Sequence, residues 1–280
     1  MARLVGILAN RPDLTRRFVL HEGAALGSTN PHGEPWAWGI GFQQSGELLL
    51  RRRPVEDRKV LGLGDMLGDV VSDLLLGHVR RATIGARSSD NTQPFRYQQF
   101  LFAETGSLVG FGELRPHMLD SLPEFLRRSL RGDTDGEFLF HLFLSFLHDA
   151  GKLEEPSVKP RDIFTALSAM RALVRRLLAE AGLPESPINV MVATADGIVA
   201  GRFGSPMAYR VFSGRRGLEA LFVSDDPGKV RLPDLEACQL SVVASNFEGD
   251  AIPQGWTPLA DGAMLFLSRT DAPLEASPPL

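Results

Sequence analysis

Cysteine is nearly absent from this 280-residue sequence, which contains only Cys238. A single thiol excludes an intrachain disulfide, and such sparse use of cysteine is typical of a reducing compartment. Long apolar runs are also lacking. The longest one, in EFLFHLFLSFLHDAG, is too short to span a bilayer and is interrupted by His141 and Ser145. The N-terminus shows no basic segment followed by an apolar one, so no secretory signal is expected. We therefore predict a cytoplasmic protein.

An excess of charge of either sign is missing as well. The formal net charge is −4, which gives no general attraction to nucleic acid or to an anionic membrane. The six histidines and the single cysteine do not show metal-ligand spacing, and no GxGxxG or phosphate-binding loop occurs. We expect no metal, no cofactor, no nucleic-acid partner and no membrane partner.

The order of apolar patterns predicts the fold class. Strand-like runs occupy 3–10, 36–43, 46–53, 73–80 and 99–104, and helical patterns then follow, the clearest being RDIFTALSAMRALVRRLLAEAG. Further strand-like runs close the sequence: INVMVATA, GIVAGRF, MAYRVF, LEALFVS, LSVVAS and AMLFLS. This order predicts an α+β protein with two mainly antiparallel sheets and helices against them. We expect one domain over 1–270 and a disordered tail over 271–280.

Three short motifs contain candidate functional residues, each with an ordinary structural alternative. Arg80, in HVRRATIG, ends a strand and could hold a ligand carboxylate or simply pair at the sheet edge. Asp135, in GDTDGE, could hold a ligand ammonium or cap a helix. Gly106, in AETGSL, follows a strand and could offer its N–H to a ligand or form a tight turn.

These motifs, taken in order with WGIGF and DNTQPF, resemble the class II glutamine amidotransferases, the glutaminase branch of the N-terminal nucleophile (Ntn) hydrolases. The similarity runs from Arg3 to about Ser268. It implies a four-layer αββα sandwich, and a catalytic cysteine at the first position of the mature chain, which attacks the glutamine side-chain amide. It also implies glutamine or a γ-glutamyl compound as the ligand and an ammonia acceptor or synthase subunit as a partner.

The resemblance assigns roles to particular residues. Arg80, with assistance from Thr83, corresponds to the site of the α-carboxylate, and Asp135 to the site of the α-ammonium. Gly106 corresponds to the glycine of the oxyanion hole.

Two features depart from the family pattern at the catalytic positions. Ala2 stands where the nucleophile is expected, and alanine has no group that can attack an amide. The family's His-Asn-Gly reads Glu104-Thr105-Gly106, so Thr105 replaces the oxyanion asparagine. Loss of one such donor lowers the rate by about 10²–10³-fold. If Glu104 pointed into the site, it would also repel an oxyanion. The segment PWAWGIGF has Ala37 where the family has glycine before Trp-Gly.

Three hypotheses follow from these departures. The first is a pseudoenzyme that binds glutamine or a γ-glutamyl compound without hydrolysing it. The second is an active amidotransferase or γ-glutamyl hydrolase whose cysteine was exchanged for Ala2. The third is a catalytically dead scaffold or interaction subunit. Several departures at one site favour natural loss of hydrolysis, and an intact pair of Arg80 and Asp135 argues against a scaffold.

Overall fold

The computed structural model describes residues 2–27, 37–54, 67, 70–80, 85–222, 234–247 and 251–276. The strands are β1 (Arg3–Ala9), β2 (Ala37–Gln44), β3 (Glu47–Pro54), β4 (Leu74–Arg80), β5 (Phe95–Tyr97), β6 (Phe100–Thr105), β7 (Asn189–Thr194), β8 (Gly197–Gly201), β9 (Met207–Ser213), β10 (Gln239–Ser245), β11 (Thr257–Pro258), β12 (Met264–Leu267) and β13 (Leu274–Ala276). The helices are α1 (Pro12–Gly27), α2 (Phe111–Asp120), α3 (Glu124–Arg127), α4 (Asp135–Asp149), α5 (Pro160–Glu180) and α6 (Gly214–Leu218), with short 3-10 turns at Glu219–Phe222 and Leu235–Ala237.

These strands form two antiparallel sheets. One has the order β11-β9-β10-β1-β4-β2-β3, and the other has the order β13-β12-β8-β7-β6-β5. Strand β1 is central in the first sheet, where Leu4 lies opposite His78 of β4 and Val5 lies opposite Ala244 of β10. The start of β1 therefore lies beside the end of β4, which places residue 2 at the same edge of the sheet as Arg80.

Three apolar clusters define four layers. One cluster fills the space between the two sheets and includes Leu4, Leu76 and Leu101. A second joins the outer face of the first sheet to α1 and α6. The third joins the outer face of the second sheet to α2, α4 and α5. The predicted αββα sandwich is confirmed.

Helix α4 is buried on almost all sides because it packs between β6 and α5. Its aromatic side chains interlock with those of β6: Phe140 stacks on Phe102 with ring centroids 5.2 Å apart, and Phe143 meets Phe100 edge-on at 5.9 Å. This packing fixes the N-terminus of α4 beside the end of β6. The segment preceding the helix is thereby held near the polar residues of that strand.

Two predictions of local structure are wrong. The described part of the run LEALFVS, residues 218–222, does not form a strand: Leu218 ends α6 and Glu219–Phe222 is a 3-10 turn, because Leu218, Leu221 and Phe222 turn together into the outer cluster of the first sheet. Residues 223 and 224 lie outside the described part of the chain. The tail is not disordered from residue 271 onward, since Leu274–Ala276 forms β13, the edge strand of the second sheet, and pairs with β12 so that Leu265 lies opposite Glu275. Residues 277–280 lie outside the described part of the chain.

Among the described residues, no helix combines the length and the apolar character that crossing a membrane requires.

Candidate functional site

The polar site lies at one end of the space between the sheets. Side chains alternate along a strand, and Leu74 and Leu76 of β4 belong to the inter-sheet cluster, so Arg80 lies on the same face. By the same alternation, Ala2 shares its face with Leu4 of β1. The sheet therefore brings the expected nucleophile position and the expected carboxylate-binding arginine to one edge and one face.

Arg80 is only 8% exposed. Its Nη1 donates a hydrogen bond of 2.8 Å to the carbonyl oxygen of Asn91, which fixes the guanidinium against the DNTQPF segment. Burial lowers the pKa of Arg80, and the negative charges of Asp135 and Glu104 oppose that shift, with Asp135 the stronger. The arginine thus lies close to two carboxyl groups from two other elements of the fold.

Asp135 is 6% exposed and occupies the first turn of α4. It does not cap the helix, because the hydroxyl of Thr134 accepts the capping hydrogen bond from the N–H of Glu137. Instead, its Oδ2 accepts from the N–H of Leu108 at 2.8 Å and its Oδ1 from the N–H of Gly136 at 3.0 Å. Burial raises the pKa of Asp135, while those N–H donors and Arg80 favour the charged form.

Glu104 and Thr105 lie on opposite faces of β6. Glu104 shares its face with Phe102, which packs against α4, whereas Thr105 shares its face with Leu101 between the sheets. The hydroxyl of Thr105 is buried and finds no hydrogen-bond partner among the described residues. The side chain of Glu104 therefore does not point toward the inter-sheet face. The sequence-based expectation that Glu104 would repel an oxyanion required it to point there, so that expectation is not met. Thr105 does face the expected reaction centre.

Gly106 has a backbone φ of 139°, in the region that favours glycine. A side chain at this position would also collide with the carbonyl oxygen of Pro187. Both constraints keep the chain tight immediately after Thr105, and they account for a glycine at this position on structural grounds alone. Thr83 lies outside the described residues.

Ala2 is half-buried, and its carbonyl oxygen accepts a hydrogen bond from Nδ2 of Asn246. Arg3 also binds Asn246: its Nε and Nη2 donate to the carbonyl oxygen of Asn246 at 3.1 and 3.0 Å. Asn246 follows β10 and has a left-handed φ of 56°. These contacts hold the backbone of Ala2 at the edge of the first sheet.

Two contributors to the site were not found from the sequence. Gln93 donates from Nε2 to Oε1 of Glu104 at 2.8 Å and accepts from the N–H of Glu104 at 2.6 Å. His78, on the inter-sheet face of β4, is fully buried, and burial together with Arg80 lowers its pKa to about 3. The sequence offered one indication that these residues belong to the site, namely their place within its motifs. His78 is the first residue of HVR, and Gln93 lies within DNTQPF.

The described residues contain no group of three histidine, cysteine, aspartate or glutamate side chains that could hold a metal ion. Cys238 belongs to the apolar cluster on the outer face of the first sheet, on the far side from Arg80. The chemistry available at the site is therefore that of a buried cation beside a buried carboxylate, with a hydroxyl nearby and no thiol.

A sequence profile of the class-II glutamine amidotransferases matches residues 1–200, well over half of the 280 residues. The chain belongs to this family. The chain is 27% identical over 214 residues to the Saccharomyces cerevisiae protein "Probable glutamine amidotransferase DUG3". That alignment covers 71% of this chain and 58% of the yeast protein, so the chain spans less than two thirds of the relative's length.

Solved structures share its fold. A glutamine aminotransferase class-II domain protein from Silicibacter pomeroyi superposes with a TM-score of 0.60 at 18% identity and covers 98% of both chains. The glutamine phosphoribosylpyrophosphate amidotransferase of B. subtilis superposes with a TM-score of 0.55 at 16% identity, over 98% of this chain and 49% of that one. Both likenesses concern the fold of this chain, which is the four-layer αββα sandwich described above.

Proposed function

We propose that this member of the class-II glutamine amidotransferase family binds the amino-acid head of L-glutamine or of a γ-glutamyl compound between Arg80 and Asp135, and that it does not hydrolyse the side-chain amide. The observation that carries the proposal is that these two opposite charges are both buried and interact electrostatically, near the edge where β1 begins. Buried charges are costly unless they are compensated. An α-amino acid offers a carboxylate and an ammonium on one carbon, which matches this pair.

The hydrogen-bonding capacity of each group fits the proposed role. A guanidinium presents a fork that can hold a carboxylate through two parallel hydrogen bonds. Each oxygen of Asp135 accepts from one backbone N–H, and a carboxylate offers about four acceptor sites, so it can also receive an ammonium. The backbone donors keep the carboxylate oriented and favour its charged form.

The absence of hydrolysis follows from the identity of Ala2. A methyl group cannot attack an amide, and loss of the nucleophile in a comparable covalent mechanism lowers kcat by about a millionfold. Thr105 is the second reason, because its hydroxyl is a shorter donor than an asparagine amide on the same face. An acceptor or synthase partner is needed only if ammonia is released, so none is part of this proposal.

Calorimetric titration with L-glutamine, L-glutamate and D-glutamine tests the binding. Saturable binding of an L-isomer is expected, and D-glutamine should bind more weakly because inversion misplaces one of the two charged groups. Arg80→Ala and Asp135→Asn should each weaken binding by about 2–5 kcal/mol, since a charged partner is left unpaired.

Two matched variants serve as controls. Arg128→Ala removes an exposed arginine that pairs with Glu124, and Asp149→Asn changes an exposed aspartate at the opposite end of α4. Both should bind like the unmodified chain. No binding by the unmodified chain at millimolar ligand would refute the proposal and favour a scaffold.

A further inference from the structure

A cavity lies next to the candidate site, on the other side of the DNTQPF segment. Its volume is about 250 Å³, and it lies between β3, β5 and the first two turns of α4. The segment between residues 91 and 93 separates it from Arg80: the carbonyl oxygen of Asn91 accepts from Arg80, and that of Thr92 accepts from Arg52, which lines the cavity.

Positive charge is in excess around this cavity. Arg52, Arg96 and Arg131 line it, against two carboxylates, Asp90 and Glu137. Glu137 is already occupied by backbone donors, because its two carboxylate oxygens accept from the N–H groups of Arg131 and Gly132 at 2.8 and 2.7 Å. His141 also lines the cavity, and burial lowers its pKa, so the imidazole is neutral at pH 7. Counted with both carboxylates ionised, the formal charge of the lining is therefore +1.

Two of the three arginines are held in place by the backbone. Nη1 of Arg52 donates to the carbonyl oxygen of Thr92 at 3.2 Å, and Nη1 of Arg96 donates to that of Leu48 at 2.6 Å. A guanidinium has five N–H donors, so each of these bonds positions the group while using one donor. Pre-positioned donors reduce the entropy lost when a ligand binds.

The wall of the cavity toward α4 is closed by core side chains. Phe95 and Phe140 stack there with ring centroids 6.4 Å apart, and they are only 4% and 1% exposed, so they present almost no apolar surface to an occupant. Ser129 and Tyr97 add hydroxyl groups at the edge, and Ser129 is 3.0 Å from Nε2 of His141. An occupant therefore meets mainly cationic and hydroxyl donors.

We propose that this cavity binds a small monocarboxylate, at a site separate from the Arg80–Asp135 pair. One negative charge neutralises the lining, whereas a dianion would leave it negative by one unit. The carboxylate lies among Arg52, Arg96 and Arg131. The proposal goes beyond the proposed function and does not depend on it.

Benzoate is the probe that tests this site, because it carries one carboxylate and no second polar group. We expect saturable 1:1 binding by calorimetry, with a Kd at or below about 1 mM. Arg131→Ala and Arg96→Ala should each weaken it about tenfold or more, and both side chains are exposed, so neither change threatens folding. Arg128→Ala, which changes a neighbouring exposed arginine outside the cavity, should leave the Kd unchanged.

Further measurements separate this site from the first one and from a phosphate site. Arg80→Ala should leave benzoate binding intact even where it removes glutamine binding. Tighter binding of inorganic phosphate than of benzoate overturns the assignment to a carboxylate. Absence of saturation by the unmodified chain, or equal weakening in Arg131→Ala and Arg128→Ala, overturns the site itself.

Discussion

Gln93 and Glu104 hold each other by two hydrogen bonds, one in each direction, between the side-chain amide of Gln93 and the carboxylate and N–H of Glu104. The pair joins the DNTQPF segment to β6 just before Thr105. Gly136 of α4 lies directly over it, where even a methyl group would come within 2.7 Å of Oε1 of Glu104. The DNTQPF segment contacts Arg80, β6 contains Thr105, and α4 contains Asp135. These three elements therefore meet at the buried carboxyl group of Glu104.

Glu104→Gln should make the stability of the protein less dependent on pH. Burial is the main cause that raises the pKa of Glu104 well above 4.5, and Asp135 adds to it. The folded state then binds more protons than the unfolded state above pH 4.5, so the free energy of unfolding falls as pH rises toward the folded pKa. Glutamine mimics the neutral acid and still accepts from Gln93. The decline should become shallower by up to about 1.4 kcal/mol per pH unit.

Urea unfolding of both proteins between about pH 5 and pH 8 measures this slope. Glu124→Gln, at an exposed position on α3, is the matched control and should retain the slope of the unmodified chain. An identical slope in Glu104→Gln and the unmodified chain would show that Glu104 is ionised in both the folded and unfolded states.

Gly39→Ala should destabilise the protein by about 2–3 kcal/mol, as overpacking of a rigid neighbour does. The new methyl group would overlap the carbonyl oxygen of Gln93 and lie 3.1 Å from Cδ of Pro94. A backbone carbonyl group cannot rotate away as a flexible side chain can. The DNTQPF segment must therefore shift as a whole to make room for the methyl group. Gly112→Ala in α2 is the control, because nothing lies within 4 Å of its added methyl group. Chemical denaturation compares the two, and equal stability would mean that the segment next to Gly39 shifts freely.

The regular elements could be predicted from the sequence where one pattern dominated. Helix α5 shows the 3.6-residue period and ends before Gly182, whose φ is 67°, as predicted. The strand predicted for the run LEALFVS was wrong because its apolar residues suit a strand as well as a short turn packed under a sheet. Helix α2 was missed, and Pro116 within it is a reason, since proline normally argues against a helix interior.

The site was less predictable because its contacts are long-range. Arg80 and Asp135 lie on different elements, and only the family resemblance indicated that they meet. The direction of Glu104 could not be predicted, since the sequence does not say which face of β6 turns toward α4. The pairing with Gln93 requires a fold in which the DNTQPF segment already lies against that strand.

Asn246→Ala should destabilise the start of β1 more than Asn246→Gly does. Both changes remove the hydrogen bond to the carbonyl oxygen of Ala2, a loss of about 0.5–1.5 kcal/mol. Only alanine must also adopt a φ of 56°, which adds about 1–2 kcal/mol and which glycine adopts without strain. The difference between the two variants in thermal or urea unfolding isolates the backbone contribution. If alanine proves as stable as glycine, residue 246 does not keep its left-handed conformation.

Ala2→Cys alone should restore little glutamine hydrolysis, even after intact mass spectrometry has shown that Met1 is removed. The thiol returns to the edge beside Arg80, but the tetrahedral intermediate still lacks an asparagine donor, because Thr105 occupies that position on the inter-sheet face. Adding Thr105→Asn should raise the rate by about 10²-fold or more. Glu104→His should add nothing further, since residue 104 lies on the opposite face and its exchange breaks the pair with Gln93.

Release of free glutamate from L-glutamine measures all of these variants side by side. The unmodified chain, which retains Cys238 as its only thiol, supplies the background rate. Ser107→Asn, next to the same turn and half-buried, is the control for a general effect of an added amide and should leave the Ala2→Cys rate unchanged. Brisk hydrolysis by Ala2→Cys alone would mean that Thr105 and Gly106 already stabilise the oxyanion, so that the missing thiol is the sole catalytic defect of this chain.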